Sequence, residues 1–284
     1  LIDTGNIEAA SELWTADFTA LTTNNSLLNA EIQKGIYDGL MADAAKILAG
    51  IDDHVKVIEV AFILNARHGL RLAQRFGGKV SVELHTDVAD DVERTLHYAR
   101  RYAEISPEHF IIKIPLTPAG LIATRTLRGE GIPINFTLGF SARQNAMAAE
   151  FAGPNYVNVF LGRVGAYIKN NDLGTGELVG EKATIASQRV INRLTAGRAV
   201  PTKQIAASIR DAGNIAGLAG VDVFTIPVKA AREALNRLHG NWMNHIDEDY
   251  LPEYTEAASA ARVHVFHEVT SDEFAFVQSL SYDP

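Results

Sequence analysis

The sequence predicts an α/β protein, a single (β/α)8 barrel of the TIM class with a C-terminal helical tail. Three observations carry this. Short apolar, β-rich runs alternate with helix-patterned segments about eight times, the sequence form of a parallel sheet whose strands are joined by helices. The glycine-rich G-x-G-x-x-G turn of a doubly wound sheet is missing after the first strand, where the chain reads DTGNIEA. The length of 284 residues suits one such barrel.

The strands are read in order as the opening LID, ALTTN (20–24), KVSVEL (79–84), FIIKIP (110–115), PINFTL (133–138), YVNVFL (156–161), KQIAAS (203–208) and VFTIP (223–227). Between them, Ile32, Ile36, Leu40, Ala44 and Leu48 recur every four residues, predicting a helix over 29–49 that stops at Gly50. Segment 55–76 has the same apolar period and ends at Gly77-Gly78. Helices follow over 90–103, 118–130, 141–152, 181–196 and 228–238. Pro118 after Thr117 is placed as a proline at a first helical position, and Ser141 with Gln144 has the spacing of a capping box. After residue 239 the alternation ends. We expect 1–238 to be the catalytic barrel and 239–284 a tail packed on it, with helices near 255–262 and from Ser271, because about 45 residues rarely hold a core alone.

Charge and composition narrow the function. With 26 basic and 34 acidic residues the formal net charge is −8, which argues against nucleic acid or an anionic membrane as the main partner. There is no cysteine, so disulfides and thiolate metal sites are excluded, and a reducing cytoplasm fits. No run of about 18 apolar residues offers a membrane span. Self-association as a homo-oligomer is left open.

One residue conflicts with its surroundings. FIIKIP reads as a fully buried strand, yet Lys113 sits in its middle, and an unpartnered buried ammonium is costly. Alternate strand residues share a face. That rule groups Lys113 with Ile111 and Pro115, Ser81 with Glu83, Asn135 with Thr137, Thr22 with Asn24, Asn158 with Tyr156 and Phe160, and Ser208 with Arg210. Each strand therefore has an apolar face and a face that turns polar towards its C-terminal end, where barrel enzymes gather their catalytic side chains. Burial favours a neutral amine, which can attack a carbonyl and form a Schiff base. A nearby carboxylate would serve as base and a second would handle water.

The ordered motifs DTGN, TTNNSLL, VSVEL, IIKIP, GIPINFTL followed by FS, and VFLGRV resemble the successive strand motifs of the transaldolase family, from about Asp3 to about residue 235. The resemblance implies a metal-free, cofactor-free class I enzyme on a (β/α)8 barrel, moving a dihydroxyacetone unit between phosphorylated sugars. It implies Lys113 as Schiff-base nucleophile, Asp3 as the base for the C4 hydroxyl, and Glu83 acting through a water held also by Thr137. Asn24 and Asn135 would bind hydroxyls of the intermediate, Phe160 would line the site, and Arg163 and Arg210 would hold phosphate, a role their bidentate donors suit. Asp3 has an alternative role as helix cap for GNIEAA, Glu83 as a purely structural partner of Lys113, and the asparagines as partners of buried backbone.

The match departs at three places. Asn25 stands where the family carries proline, Asn158 and Val159 stand where it has serine and proline, and Asp211 follows Arg210 where it has asparagine. Because that serine helps bind the phosphate end, Asn158 bears on which sugar is used. Two rival classes remain: a metal-dependent barrel using some of the nine histidines, such as His85, His245, His264 and His267, and a non-catalytic barrel that only binds.

Overall fold

The computed structural model describes residues 1–240 and 242–280; Asn241 and the last four residues of the expected tail lie outside the described residues. The chain forms two compact units, Leu1–Ile134 and Asn135–Pro284.

The first unit runs β1 (Ile2–Asp3), α1 (Ile7–Leu13), β2 (Ala20–Thr22), α2 (Asn25–Ile32), α3 (Asp38–Ile47), α4 (Asp53–Phe76), β3 (Lys79–Glu83), α5 (Val92–Ile105), β4 (Phe110–Pro115) and α6 (Pro118–Gly129). Its strands pair in parallel and in chain order. One row of the register joins Asp3, Thr22, Ser81 and Ile111, and two residues further on Glu83 pairs with Lys113. The local signals act as read: Thr117 caps α6 from Gly120 N–H at 2.9 Å with proline at the first position, and Gly77 ends α4 in the left-handed region at φ +64°.

The helix expected over 29–49 is instead two helices. The chain breaks at Gly35, φ +76°, and Ile36, which keeps the four-residue spacing through the turn, is exposed while Tyr37 enters the core with Leu28 and Leu64. Gly69 is needed where α4 meets the sheet, since a Cβ there would come within 2.8 Å of Val82 and 2.9 Å of Phe110. On the outer side Glu59 of α4 takes both arms of Arg101 at 2.7 and 2.8 Å, and the guanidinium lies over Phe62.

The second unit runs β5 (Ile134–Thr137, whose first residue belongs to the preceding unit), α7 (Ala142–Phe151), β6 (Tyr156–Phe160), α8 (Leu161–Asn170), α9 (Val179–Thr195), β7 (Lys203–Ala207), α10 (Ala212–Gly217), β8 (Val223–Phe224), β9 (Ile226–Pro227), α11 (Val228–Arg237), α12 (Ala257–Ala260) and α13 (Ser271–Gln278). Asn135 pairs with Tyr156, Asn158 with Ile205 and Phe160 with Ala207, again in parallel. The eighth strand is split into β8 and β9 around Thr225.

Two local expectations need correction here. The reading has no helix between 156–161 and 181, yet α8 begins directly on Leu161, without a linker for a sequence signal to mark. In the Ser141 box, Gln144 Oε1 accepts from Phe140 N–H at 3.0 Å and from the Ser141 hydroxyl at 3.3 Å, rather than from the Ser141 N–H. The last helix begins at Ser271 as read, and Thr270 before it forms a full capping box with Glu273.

The tail is tied to its own unit. Arg143 of α7 bonds Glu268 O at 2.7 Å and Glu273 at 2.8 Å, Arg189 of α9 bonds Ile246 O, and Gly174 bridges Tyr254. Strand then helix, in eight steps with every registered pairing parallel, is the (β/α)8 barrel class that the sequence predicts, followed by C-terminal helices.

Candidate active site

In the first unit four of the expected residues converge. Glu83 and Lys113 end neighbouring strands in register, so both side chains leave the same face at the same level. The lysine Nζ lies 3.4 Å from Glu83 Oε1 and donates to Thr23 O at 3.2 Å; the two side chains are 9% and 17% exposed. The buried ammonium thus has a charge partner and a carbonyl, which offsets its desolvation.

Asp3 enters from β1 on the same face, two residues lower in the register. Burial pushes its carboxyl above the ordinary 3.8, with Lys113 opposing the shift and Glu83 reinforcing it. It does not cap α1: Asn6 does, accepting from Ala9 N–H at 2.8 Å. A carboxyl whose proton affinity is raised beside a lysine is suited to taking a proton and returning it.

Asn24 lies two residues beyond Thr22 and caps α2, its side-chain oxygen accepting from Leu27 N–H at 2.9 Å. The cap fixes the side chain and leaves its NH2 group as the part able to meet a ligand hydroxyl. The next residue, Asn25, which stands where the resembled family carries proline, has a contact that the sequence did not reveal. Its backbone N–H donates to Glu83 Oε2 at 3.0 Å, so both carboxylate oxygens are engaged.

The second unit holds the other expected residues. Asn158 donates to Asn135 Oδ1 at 2.7 Å and to Phe136 O at 2.9 Å, so its amide hydrogens bind protein. Thr137 is fully buried, and its hydroxyl has no hydrogen-bond partner among the described residues. A buried hydroxyl left in this way is suited to a water or ligand. Leu138 and Ser208, directly after β5 and β7, are both in the left-handed region at φ 65° and 61°, a strained conformation for such residues that collects at functional strand ends.

The two arginines lie near the start of α8 but line separate cavities, Arg163 one of about 640 Å³ with Phe140, Arg143 and Tyr167, and Arg210 one beside Gly162 and Glu181. Arg163 is the third residue of α8 and lies 5.7 Å over the Phe160 ring. Arg210 lies across Gly162, where a Cβ would fall 2.3 Å from its Nε and 2.4 Å from Ser208 O, so the close approach of both requires glycine there. Both are exposed and neither pairs with a carboxylate among the described residues. Asp211 beside Arg210 is occupied as the cap of α10, accepting from Asn214 N–H at 3.0 Å. Burial raises the carboxyl of Glu181, which lines the same cavity of about 590 Å³ as Arg210 and bonds Asn214 Nδ2. An exposed guanidinium without a carboxylate partner is free to meet an anionic group.

Among the described residues no three His, Asp or Glu side chains are grouped to hold a metal, and His85 caps a short turn by accepting from Asp87 N–H at 3.2 Å. No helix among them is long and apolar enough to cross a membrane.

The family profile described as Transaldolase/Fructose-6-phosphate aldolase matches residues 1–275. The chain belongs to that family. The transaldolase of Xanthomonas euvesicatoria pv. vesicatoria is 31% identical over 99% of this chain and 85% of its own length. A probable transaldolase of Exiguobacterium sibiricum is 33% identical over 73% of this chain and 84% of its own, and the transaldolase of Nostoc punctiforme 32% identical over 79% and 69%. The chain is thus an enzyme of the transaldolase family, as its strand motifs imply.

Proposed function

We propose that the enzyme transfers a dihydroxyacetone unit from a ketose phosphate, fructose 6-phosphate or sedoheptulose 7-phosphate, to an aldose phosphate through a Schiff base on Lys113. The observation that carries this reading is the buried Lys113 with Glu83 Oε1 3.4 Å from its Nζ and Asp3 on the same face. The neutral amine adds to the ketose C2 carbonyl after passing its proton to Glu83. The carbinolamine hydroxyl then leaves as water on protonation, with Glu83 as donor through a water that Thr137 helps to hold. In the resulting iminium, Asp3 takes the C4 hydroxyl proton, the C3–C4 bond breaks, and its electron pair moves into the enamine. The aldose product departs, and addition of the enamine to the incoming aldehyde runs these steps in reverse.

Asn24, Asn135 and Phe160 serve the sugar chain in this reading, and Arg163 with Arg210 its phosphate. Residues 1–238 work as the catalytic barrel with 239–284 as its tail, in the cytoplasm and in pentose phosphate metabolism, without metal or cofactor. Glu83 favours transfer over the simple aldol reaction of the fructose-6-phosphate aldolase type, whose members lack this glutamate arrangement.

A second reading, another sugar with an anionic end, has one observation in its favour: Asn158 commits both amide hydrogens to Asn135 and Phe136. Product analysis with fructose 6-phosphate, with and without erythrose 4-phosphate, tests the choice. Sedoheptulose 7-phosphate formed only with the acceptor is expected; free dihydroxyacetone at an equal rate without it would mean simple cleavage. No turnover of either ketose phosphate would overturn the substrate class.

A further inference from the structure

We infer that Asn25 is a positioning residue for the reaction, its peptide N–H fixing the Glu83 carboxylate so that Oε1 faces Lys113. The inference rests on the Schiff-base reading above. Asn25 is the first residue of α2, and a first-position N–H has no acceptor within its own helix, so it is free to serve another group. Here it serves Glu83 Oε2 at 3.0 Å, at the positive end of the α2 dipole.

The side chain makes that donor rigid. Asn25 Nδ2 donates to Leu84 O at 3.3 Å, on the residue after Glu83, and Asn25 Oδ1 accepts from Asn65 Nδ2 at 3.3 Å. Asn65 is buried on α4 and also bonds Ala61 O at 3.1 Å. The start of α2 is therefore clamped between β3 and α4, with the glutamate inside the clamp. The carboxylate is left one orientation, Oε2 on the peptide and Oε1 towards the lysine.

Proline, the residue of the resembled motif at this position, would fit the helix and lacks the donor. A first helical position tolerates proline, and Asn24 before it is already extended at φ −149°, ψ 170°. The departure thus gives this chain a contact that proline-bearing relatives cannot make. The charged or titratable groups that act on Glu83 from neighbouring elements are Lys113 on β4, Asp3 on β1 and Tyr102 on α5.

The test compares Asn25→Pro, which deletes the donor, with Asn25→Ala, which keeps it and removes the clamp. For Asn25→Pro, kcat should fall roughly ten-fold or more, the scale of a hydrogen bond to a charged group, with KM within about two-fold. Asn25→Ala should lose less kcat, again at unchanged KM. Wild-type kcat in Asn25→Pro, or equal kcat losses in both variants, would overturn the inference. Should Asn25→Pro fail to fold, an amide-to-ester replacement of the Asn24–Asn25 peptide bond, which deletes only the N–H, decides: lower kcat at unchanged KM upholds the role and wild-type kcat overturns it. Borohydride trapping of the wild type is run alongside. If the wild type traps no ketose, the Schiff-base reading itself has failed; if it does trap and the variants behave as wild type, only the role of Asn25 has failed.

Discussion

The strand ends of the two units are built from different chemistry. In the first, Asp3, Glu83 and Lys113 are titratable and partly or fully buried, with Glu83 paired to Lys113 and Asp3 within their electrostatic influence. In the second, Asn135, Thr137 and Asn158 are neutral and buried, and the charged groups, Arg163 and Arg210, stand exposed on a helix start and a loop. Of the first set, Asp3 has its proton affinity raised by burial, which suits a group that exchanges a proton, while fixed dipoles and permanent charge as in the second suit the holding of a substrate. The division suggests that chemistry and recognition can be damaged separately.

Substitutions should reveal that split. Lys113→Met should lower kcat at least about a thousand-fold, since no other amine shares its position. Asp3→Asn should lower kcat about 10²–10⁴-fold, the range of one general base, while the ketose can still be trapped on Lys113. It should also change the pH dependence of stability. Because burial raises Asp3 above 3.8 in the folded state, the wild type holds this proton more tightly than the unfolded chain. Its contribution is therefore most favourable near and below 3.8 and is lost as pH rises through the raised value. Asp3→Asn should remove that loss in urea melts compared across pH.

In the second unit the sign of the effect should move from kcat to KM. Arg210→Ala should raise KM for a ketose phosphate about ten-fold or more with kcat little changed. A kcat loss as large as that of Asp3→Asn would dissolve the distinction between the units. Smallest should be Asn158→Ala, which leaves Asn135 Oδ1 without its 2.7 Å donor and should cost about 1–3 kcal/mol in chemical denaturation.

What the sequence made legible follows from period. Strand parity is a strict two-residue rule, so Lys113 and Glu83 could be assigned to one face, and the register pairs them directly. Helical periodicity is weaker evidence, and the run from Ile32 to Leu48 kept its spacing across the turn at Gly35. Helix α8 was missed because it starts on the last residue read as strand and carries Gly162 and Gly165, which weaken any helical signal. That Asn24 would be tied into a cap, and that the Asn25 peptide would hold Glu83, had no side-chain pattern to show it. The backbone N–H is the same in every residue except proline, so only the substitution of a motif proline pointed there.

The central claim is that Lys113 captures the ketose carbonyl. Incubation with fructose 6-phosphate and borohydride, followed by peptide mass analysis, tests it most directly. The account predicts a reduced three-carbon adduct on the peptide containing Lys113, absent without sugar and absent in Lys113→Met. An active enzyme that yields no adduct, or one modified at another lysine, would contradict it.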